Sequence, residues 1–222
     1  MIIVCTPNNP TGRVLSKSEV DALSKFAKDK DVIILSDEVY EKICYVDEFL
    51  SPGAFGELAN KTITVNGFSK AYAMTGWRLG YLAAPDKIVN AINKLYAHTI
   101  TGTSPFIQEA AIVALDCFDD VERMRRQYFS RKEYFIHALS EIPGIKVQEP
   151  EGAFYSWCKF DVDGNVSKRL LEEAKVIGVP GNAYGTGFEK YIRFSFASSM
   201  DELKEAVNRI NKFMRRSGYE QG

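Results

Sequence analysis

At 222 residues the chain is about one and a half typical domains long, enough to bury a sizeable core. Hydrophobic residues at 45% and charged residues at 26%, with Gly 16 and Pro 8, exclude a disordered, fibrous or low-complexity protein for most of its length. Lys plus Arg total 28 against Asp plus Glu 29, a net charge of −1, so no bulk positive field condenses on nucleic acid or an anionic membrane, and neither is expected as a partner. Any anion it binds must be held locally.

Cys5, Cys44, Cys117 and Cys158 lie far apart, with no C-x-x-C pair and no nearby histidine cluster of metal-ligand spacing. No metal is expected, and a reducing cytoplasm is the simplest location. Met1 to Cys5 is too short and lacks the basic flank of a signal peptide, and no run approaches the ~18 apolar residues of a membrane span.

Ile2 to Cys5 reads as a strand ending in a dense cluster of turn formers, Thr6 to Gly12. Ser16 and Glu19 make an S-x-x-E capping box, and Val20, Leu23, Phe26 and Ala27 follow at helical spacing, predicting a helix to about Lys28. Val32 to Leu35 is an unbroken aliphatic run, expected to be a strand covered on both faces, with Asp37 at its exit. Thr62 to Val65 and Gly80 to Ala84 repeat the theme, and Ile88, Ala91, Ile92 and Leu95 stripe a helix that starts at Pro85-Asp86.

Strands alternating with helices predict an α/β fold with a mainly parallel sheet. After Ser104-Pro105 the pattern changes, because Phe106 to Cys117 and Asp119 to Leu139 both read as helices. The domain boundary is placed here, giving 1–104 and 105–222. Beyond it, Gly152 to Phe160 and Tyr191 to Phe196 alternate, Val166 to Lys175 is a helix candidate, and Leu203, Ala206, Val207, Ile210, Phe213 and Met214 stripe a last helix. That is a small α+β domain.

In open parallel sheets ligands bind beyond the carboxyl ends of the strands, which draws attention to Asn9, Asp37 and Lys70, each just past an apolar run and expected to converge on one cleft. Lys70 sits in Phe68-Ser69-Lys70-Ala71-Tyr72-Ala73-Met74, an apolar and aromatic setting that, if buried, favours the free amine and a Schiff base. The plain alternative is a surface lysine in a turn. Arg78, after Gly76-Trp77, is placed either to grip a phosphate or carboxylate or to make a surface salt bridge. Asp37 and Glu38 form an acidic pair open to several readings, and Tyr40 offers a phenol or a rim residue. Arg193, between Ile192 and Phe194 on an alternating strand, is expected to face away from the apolar side, towards solvent or a cleft.

Four segments then stand together in order: Pro7-Asn8-Asn9-Pro10-Thr11-Gly12, Ser36-Asp37-Glu38-Val39-Tyr40, Phe68 to Gly80 with Lys70 and Arg78, and Tyr191-Ile192-Arg193-Phe194-Ser195. With Pro150 to Tyr155 and Val179-Pro180-Gly181, the chain resembles class I aminotransferases throughout, the fold-type-I enzymes that use pyridoxal 5'-phosphate, and most of all the aspartate and broad-specificity branch. The resemblance implies a partial large cofactor-binding domain over 1–104, and over 105–222 interdomain helices followed by the small domain.

It implies Lys70 as the residue that forms the aldimine with the cofactor and then shuttles a proton, with Asp37 pairing with the pyridine nitrogen. Asn9 and Tyr40 would hydrogen-bond the 3'-oxygen, Arg78 would hold the phosphate and Arg193 the substrate α-carboxylate, Asn9 lying beside it. The substrates implied are an amino acid and a 2-oxo acid. Many relatives carry a hydroxyl residue at the position of Gly67, a role that Ser69 would take over in part. Glu38 receives no role.

The resemblance also implies a homodimer or larger species, and a first half that precedes Met1 in relatives. The expectation is weak or absent cofactor binding and transamination by this chain alone. Substrate choice is open, since Tyr96 to Phe106 holds no arginine to neutralise a second carboxylate. The alternatives are a lyase or decarboxylase of the same fold, disfavoured by Arg193, and a non-catalytic remnant acting as an assembly module.

Overall fold

The computed structural model describes residues 1–219. The chain divides into two compact units, one of Met1–Asn8 with Val14–Arg125 and one of Asn9–Arg13 with the chain from Arg126 onward. The division thus falls at Arg125–Arg126, whereas the sequence pattern changes at 104/105.

In the first unit, β1 (Ile2–Cys5), β2 (Ile34–Asp37) and β3 (Thr62–Gly67) run parallel in that order, and β4 (Gly80–Ala83) closes the sheet antiparallel to β3. The sheet is therefore mixed but mostly parallel. Between β1 and β2 runs α1 (Lys17–Lys30), started by the expected box: Glu19 N donates to Ser16 Oγ at 3.3 Å and Ser16 N donates to Glu19 Oε2 at 2.9 Å. Such a cap contributes about 1 kcal/mol.

The helix runs past Lys28 to Lys30 and stops where Asp31 turns left-handed at φ 48°, with Val32 N donating to Ala27 O. That turn consumes the start of the aliphatic run, so β2 begins at Ile34 rather than Val32. Ile34 and Ser36 are buried while Leu35 and Asp37 are half-buried, so the strand is not sealed on both faces as expected. Val20, Ala27, Ile34 and Leu58 form a core flanked by Val4, Leu15, Leu23, Val32, Leu50 and Phe55. Phe26, placed in the helical stripe by spacing, is 46% exposed.

The unit continues with α2 (Asp86–Thr99) and α3 (Pro105–Leu115), and α4 (Phe118–Ser140) begins in it. The stripe of α2 is real in spacing, yet the helix has no buried residue, and Leu95 is 67% exposed.

The second unit holds a four-stranded antiparallel sheet in the order β5 (Ile145–Gln148), β6 (Tyr155–Phe160), β8 (Tyr191–Ser195), β7 (Val179–Pro180). Phe135 and Leu139 of α4 are buried with Leu203, Ile210, Phe213 and Met214 of α6 (Met200–Arg216), and Phe135 meets Phe194 of β8 edge-on at 6.1 Å. A capping box of Ser199 and Glu202 starts α6. Only Val166–Arg169 of the expected Val166 to Lys175 helix is α-helical (α5). A π turn over Leu170–Ala174 follows and ends at Lys175 with φ 56°.

Strand β6 does not alternate in burial: Tyr155, Ser156, Trp157 and Cys158 are all buried. One face carries Cys158 and Phe160. On the other, Trp157 stacks on Tyr191 at 5.2 Å and meets Tyr184 and Phe188 edge-on at 5.6 and 5.7 Å. A second aromatic layer thus seals the face that alternation assigns to solvent.

Candidate active site

In the first unit, Asp37, Tyr40, Ser69, Lys70 and Arg78 follow the sheet's strands. Parallel pairing sets Asp37 of β2 opposite Val65 of β3, and Glu38 N continues the ladder to Val65 O at 2.8 Å. Asp37 is half-buried, and its Oδ1 accepts from Val39 N at 3.3 Å, turning the chain towards Tyr40, which is buried. Beyond β3, Phe68 is buried, Ser69 and Lys70 are half-buried, and the turn closes through Ala73 N to Lys70 O and Met74 N to Phe68 O, both 3.2 Å. Phe68 packs on Tyr72 at 5.0 Å and on Tyr81 at 5.8 Å, and burial raises both phenol pKa values.

The Lys70 ammonium lies 5.9 Å from the centre of the Tyr40 ring, at the outer limit of a cation–π contact. So the structure brings together Asp37, Tyr40 and Lys70 at the carboxyl ends of two adjacent parallel strands, where an α/β sheet presents ligand-binding groups.

Arg78 takes the left-handed conformation at φ 51°, an uncommon state for a non-glycine residue, and its Nη1 donates to Thr75 O at 3.0 Å. The side chain is exposed and borders a groove of about 470 Å³ lined by Asn66, Tyr81, Leu82, Ile92 and Tyr96 among others. The glycine at position 67 has a steric reason. It pairs with Gly80 across β3 and β4, and a Cβ there would lie 3.2 Å from Leu79 O and 3.4 Å from Gly80 Cα, tighter than an ordinary contact.

Glu38 is 1% exposed, and its Oε1 accepts from Ser51 Oγ at 2.8 Å. Burial raises its carboxyl pKa above the ordinary 4.5, outweighing the hydroxyls of Ser36 and Ser51, while Glu41 and Asp37 add repulsion.

The second unit holds Asn9 and Arg193. Arg193 Nη1 donates to Asn9 Oδ1 at 2.8 Å, and the guanidinium carbon lies 4.3 Å from the Tyr155 ring centre and 5.6 Å from that of Tyr184. Ile192 and Phe194 are buried and Arg193 half-buried, so the expected reversal of facing holds, but Arg193 meets aromatic rings rather than open solvent. Its Nε is buried with no hydrogen-bond partner, a donor left over for an acceptor. Burial pushes the Tyr184 phenol pKa up, against the opposing pull of the Arg193 charge.

Tyr155 and Tyr184 had not been singled out by sequence reasoning. The available signal was parity, since Tyr155 shares a strand face with Trp157, which pairs directly with Arg193 across the sheet, but the partner strand was needed to read it. Among the described residues, no group of three or more His, Cys, Asp or Glu is placed to hold a metal ion, and no helix is long and apolar enough to cross a membrane.

One unit thus carries a lysine, a carboxylate and a phenol beyond its parallel strands, and the other an arginine stacked on a tyrosine beside an asparagine. The family model for class I and II aminotransferases matches residues 1–210. The chain belongs to this aminotransferase family. It is 41% identical over 219 residues to an aspartate aminotransferase of Pyrococcus horikoshii, covering 96% of this chain and 56% of that protein. It is also 41% identical over 223 residues to an aromatic-amino-acid aminotransferase of Thermococcus litoralis, covering 96% and 57%.

Among solved structures, an aromatic aminotransferase from Pyrococcus horikoshii superposes with a TM-score of 0.92 at 38% identity, covering 96% of this chain and 59% of that one. An aspartate aminotransferase from Thermotoga maritima does so at 0.88 and 39%, covering 96% and 56%. The chain spans a little over half the length of the relatives it matches.

Proposed function

We propose that the chain serves a pyridoxal-phosphate-dependent aminotransferase that moves an amino group between an L-amino acid and a 2-oxo acid. The observation that carries the reading is the placement of the Lys70 amine 5.9 Å from the Tyr40 ring, beyond the same strand ends that hold Asp37. This donor set fits a phosphorylated pyridine aldehyde: an amine for the aldehyde, a carboxylate for the ring nitrogen, a phenol for the ring hydroxyl, and a guanidinium in Arg78 for the phosphate. When bound, the cofactor supplies an electron-withdrawing ring that makes the substrate α-proton acidic.

Lys70 would be the attachment point, and its Nζ would serve as the base that takes and returns the substrate α-proton. With the cofactor bound, the Asp37 carboxylate would sit against the ring nitrogen and the Tyr40 phenol against the ring hydroxyl, while Ser69 and Arg78 would hold the phosphate, Arg78 by its planar fork. Arg193, with Asn9 hydrogen-bonded beside it, would hold a substrate carboxylate. A fixed carboxylate favours transamination over decarboxylation, because the bond to the carboxyl carbon is kept from the cleavage geometry.

The exposed Leu95, Ile100, Phe106, Ile112, Val113 and Phe118 support association with a second copy, since so many large apolar side chains rarely stay in water. To test the reading, the chain is incubated with excess pyridoxal 5'-phosphate and reduced with borohydride. A pyridoxyl group mapped to Lys70 is the expected result; a label spread over other lysines, with Lys70 unmodified, overturns the assignment.

A further inference from the structure

Thr11, Gly12 and Arg13 lie with Asn9 in the second unit. The structure shows what holds this segment. The Gly12 carbonyl accepts from two consecutive amides, Glu151 N at 2.9 Å and Gly152 N at 2.8 Å, filling both lone pairs. Gly12 is buried at φ +72°, and a Cβ on it would lie 2.4 Å from Pro150 Cβ, 2.9 Å from Gly152 O and 3.0 Å from Pro150 Cα. The nearest atom belongs to the closed Pro150 ring and the other two are backbone, so nothing can yield by rotating a side chain.

The gripping loop is itself tethered. Glu149, next to Pro150, pairs with the ammonium of Lys132, a residue of α4 only 7% exposed that also meets Glu133 Oε1 at 2.9 Å. Burial alone would lower the Lys132 pKa, but the two carboxylates raise it, so the ammonium stays charged and the tether closed at neutral pH. Past the loop, Ala153 is fully buried at φ 58° and leads into Tyr155, the ring beneath Arg193.

We propose that Glu149–Gly152 is a clasp that positions Asn9 and the Tyr155 ring together against Arg193, with Gly12, Gly152 and the Lys132–Glu149 pair as positioning residues for carboxylate binding. The clasp acts at both sides of the guanidinium: through Gly12 on the segment that carries Asn9, and through Ala153 on the strand that carries Tyr155. It rests on the reading of Arg193 as the carboxylate-binding residue, but the placement of the guanidinium can be observed without any ligand.

The test compares Gly12→Ala with Gly164→Ala, a control at φ +82° with nothing within 4 Å of the added Cβ, so both variants suffer backbone strain and only the first opens the clasp. Two readouts are taken on the 222-residue chain: the Arg193 Nε–H resonance by nitrogen NMR, and affinity for maleate as a carboxylate probe. The expected result is a displaced or broadened Arg193 Nε resonance and at least about tenfold weaker maleate binding in Gly12→Ala, neither change in Gly164→Ala, a smaller change in Lys132→Met, and its reversal in Lys132→Arg.

Wild-type-like Nε and affinity in Gly12→Ala, or equal effects in Gly164→Ala, overturns the clasp. If Gly12→Ala does not fold, Lys132→Met decides, and an unchanged Nε resonance there overturns it. If the unmodified chain shows no maleate binding, the carboxylate reading fails, and the Nε comparison alone decides the clasp.

Discussion

Arg193→Lys keeps the positive charge and removes the planar fork, which tests the proposed carboxylate-binding role of this residue. In the folded chain the guanidinium spends one nitrogen on Asn9 Oδ1 at 2.8 Å and lays its face 4.3 Å from the Tyr155 ring centre. A lysine cannot make both contacts and still offer two parallel donors to a carboxylate. Losing one hydrogen bond to a charged group costs about 1.5–3 kcal/mol, which at 1.4 kcal/mol per tenfold is a loss of roughly 10- to 150-fold in carboxylate affinity. The lost contacts to Asn9 and Tyr155 should lower folding stability by about 1–3 kcal/mol, since both exist without ligand. Calorimetric titration with maleate and urea unfolding of the same samples separate the two effects. A folded lysine variant binding within about threefold of the parent would show that charge alone suffices, and the argument from the fork would fail.

Three further outcomes follow from the same structure. Glu38 has a raised folded pKa because of burial, so its contribution is fully present below the ordinary 4.5 and is lost as pH rises through the folded value. Glu38→Gln, which cannot ionise, should therefore lose stability less than the parent as pH rises from 4 to 8 in urea titrations, and parallel curves would refute the assignment. The Cys158 thiol is fully buried, donates to or accepts from Ser156 Oγ at 2.8 Å, and is pushed up to about 12, so a thiol reagent at pH 8 should modify Cys5 and Cys117 while Cys158 reacts only after unfolding. Leu58→Ala removes a side chain 1% exposed from the core with Val20, Ala27 and Ile34 and should cost about 2–5 kcal/mol by chemical unfolding; a loss under ~1 kcal/mol would place Leu58 outside the core.

Sequence patterns alone determined much of this protein. Spacing and the Ser16–Glu19 box located α1, the aliphatic runs located the strands of the first sheet, and residues just past them were Asn9, Asp37 and Lys70 because local propensity and side-chain period act over a few residues. The motifs carrying Asp37, Lys70, Arg78 and Arg193 were legible for a similar reason: each is a short run of residues beside a turn or on one strand.

What required tertiary structure was everything set by a distant neighbour. The start of β2 moved to Ile34 because the end of α1 captured Val32, and β6 was buried on both faces because Tyr184, Phe188 and Tyr191 cover Trp157. The Tyr155 ring under Arg193 and the grip of Glu151 and Gly152 on Gly12 join segments far apart in the chain. No periodicity encodes such pairings, since they arise only when backbone groups and rings from separate segments must satisfy one another out of water.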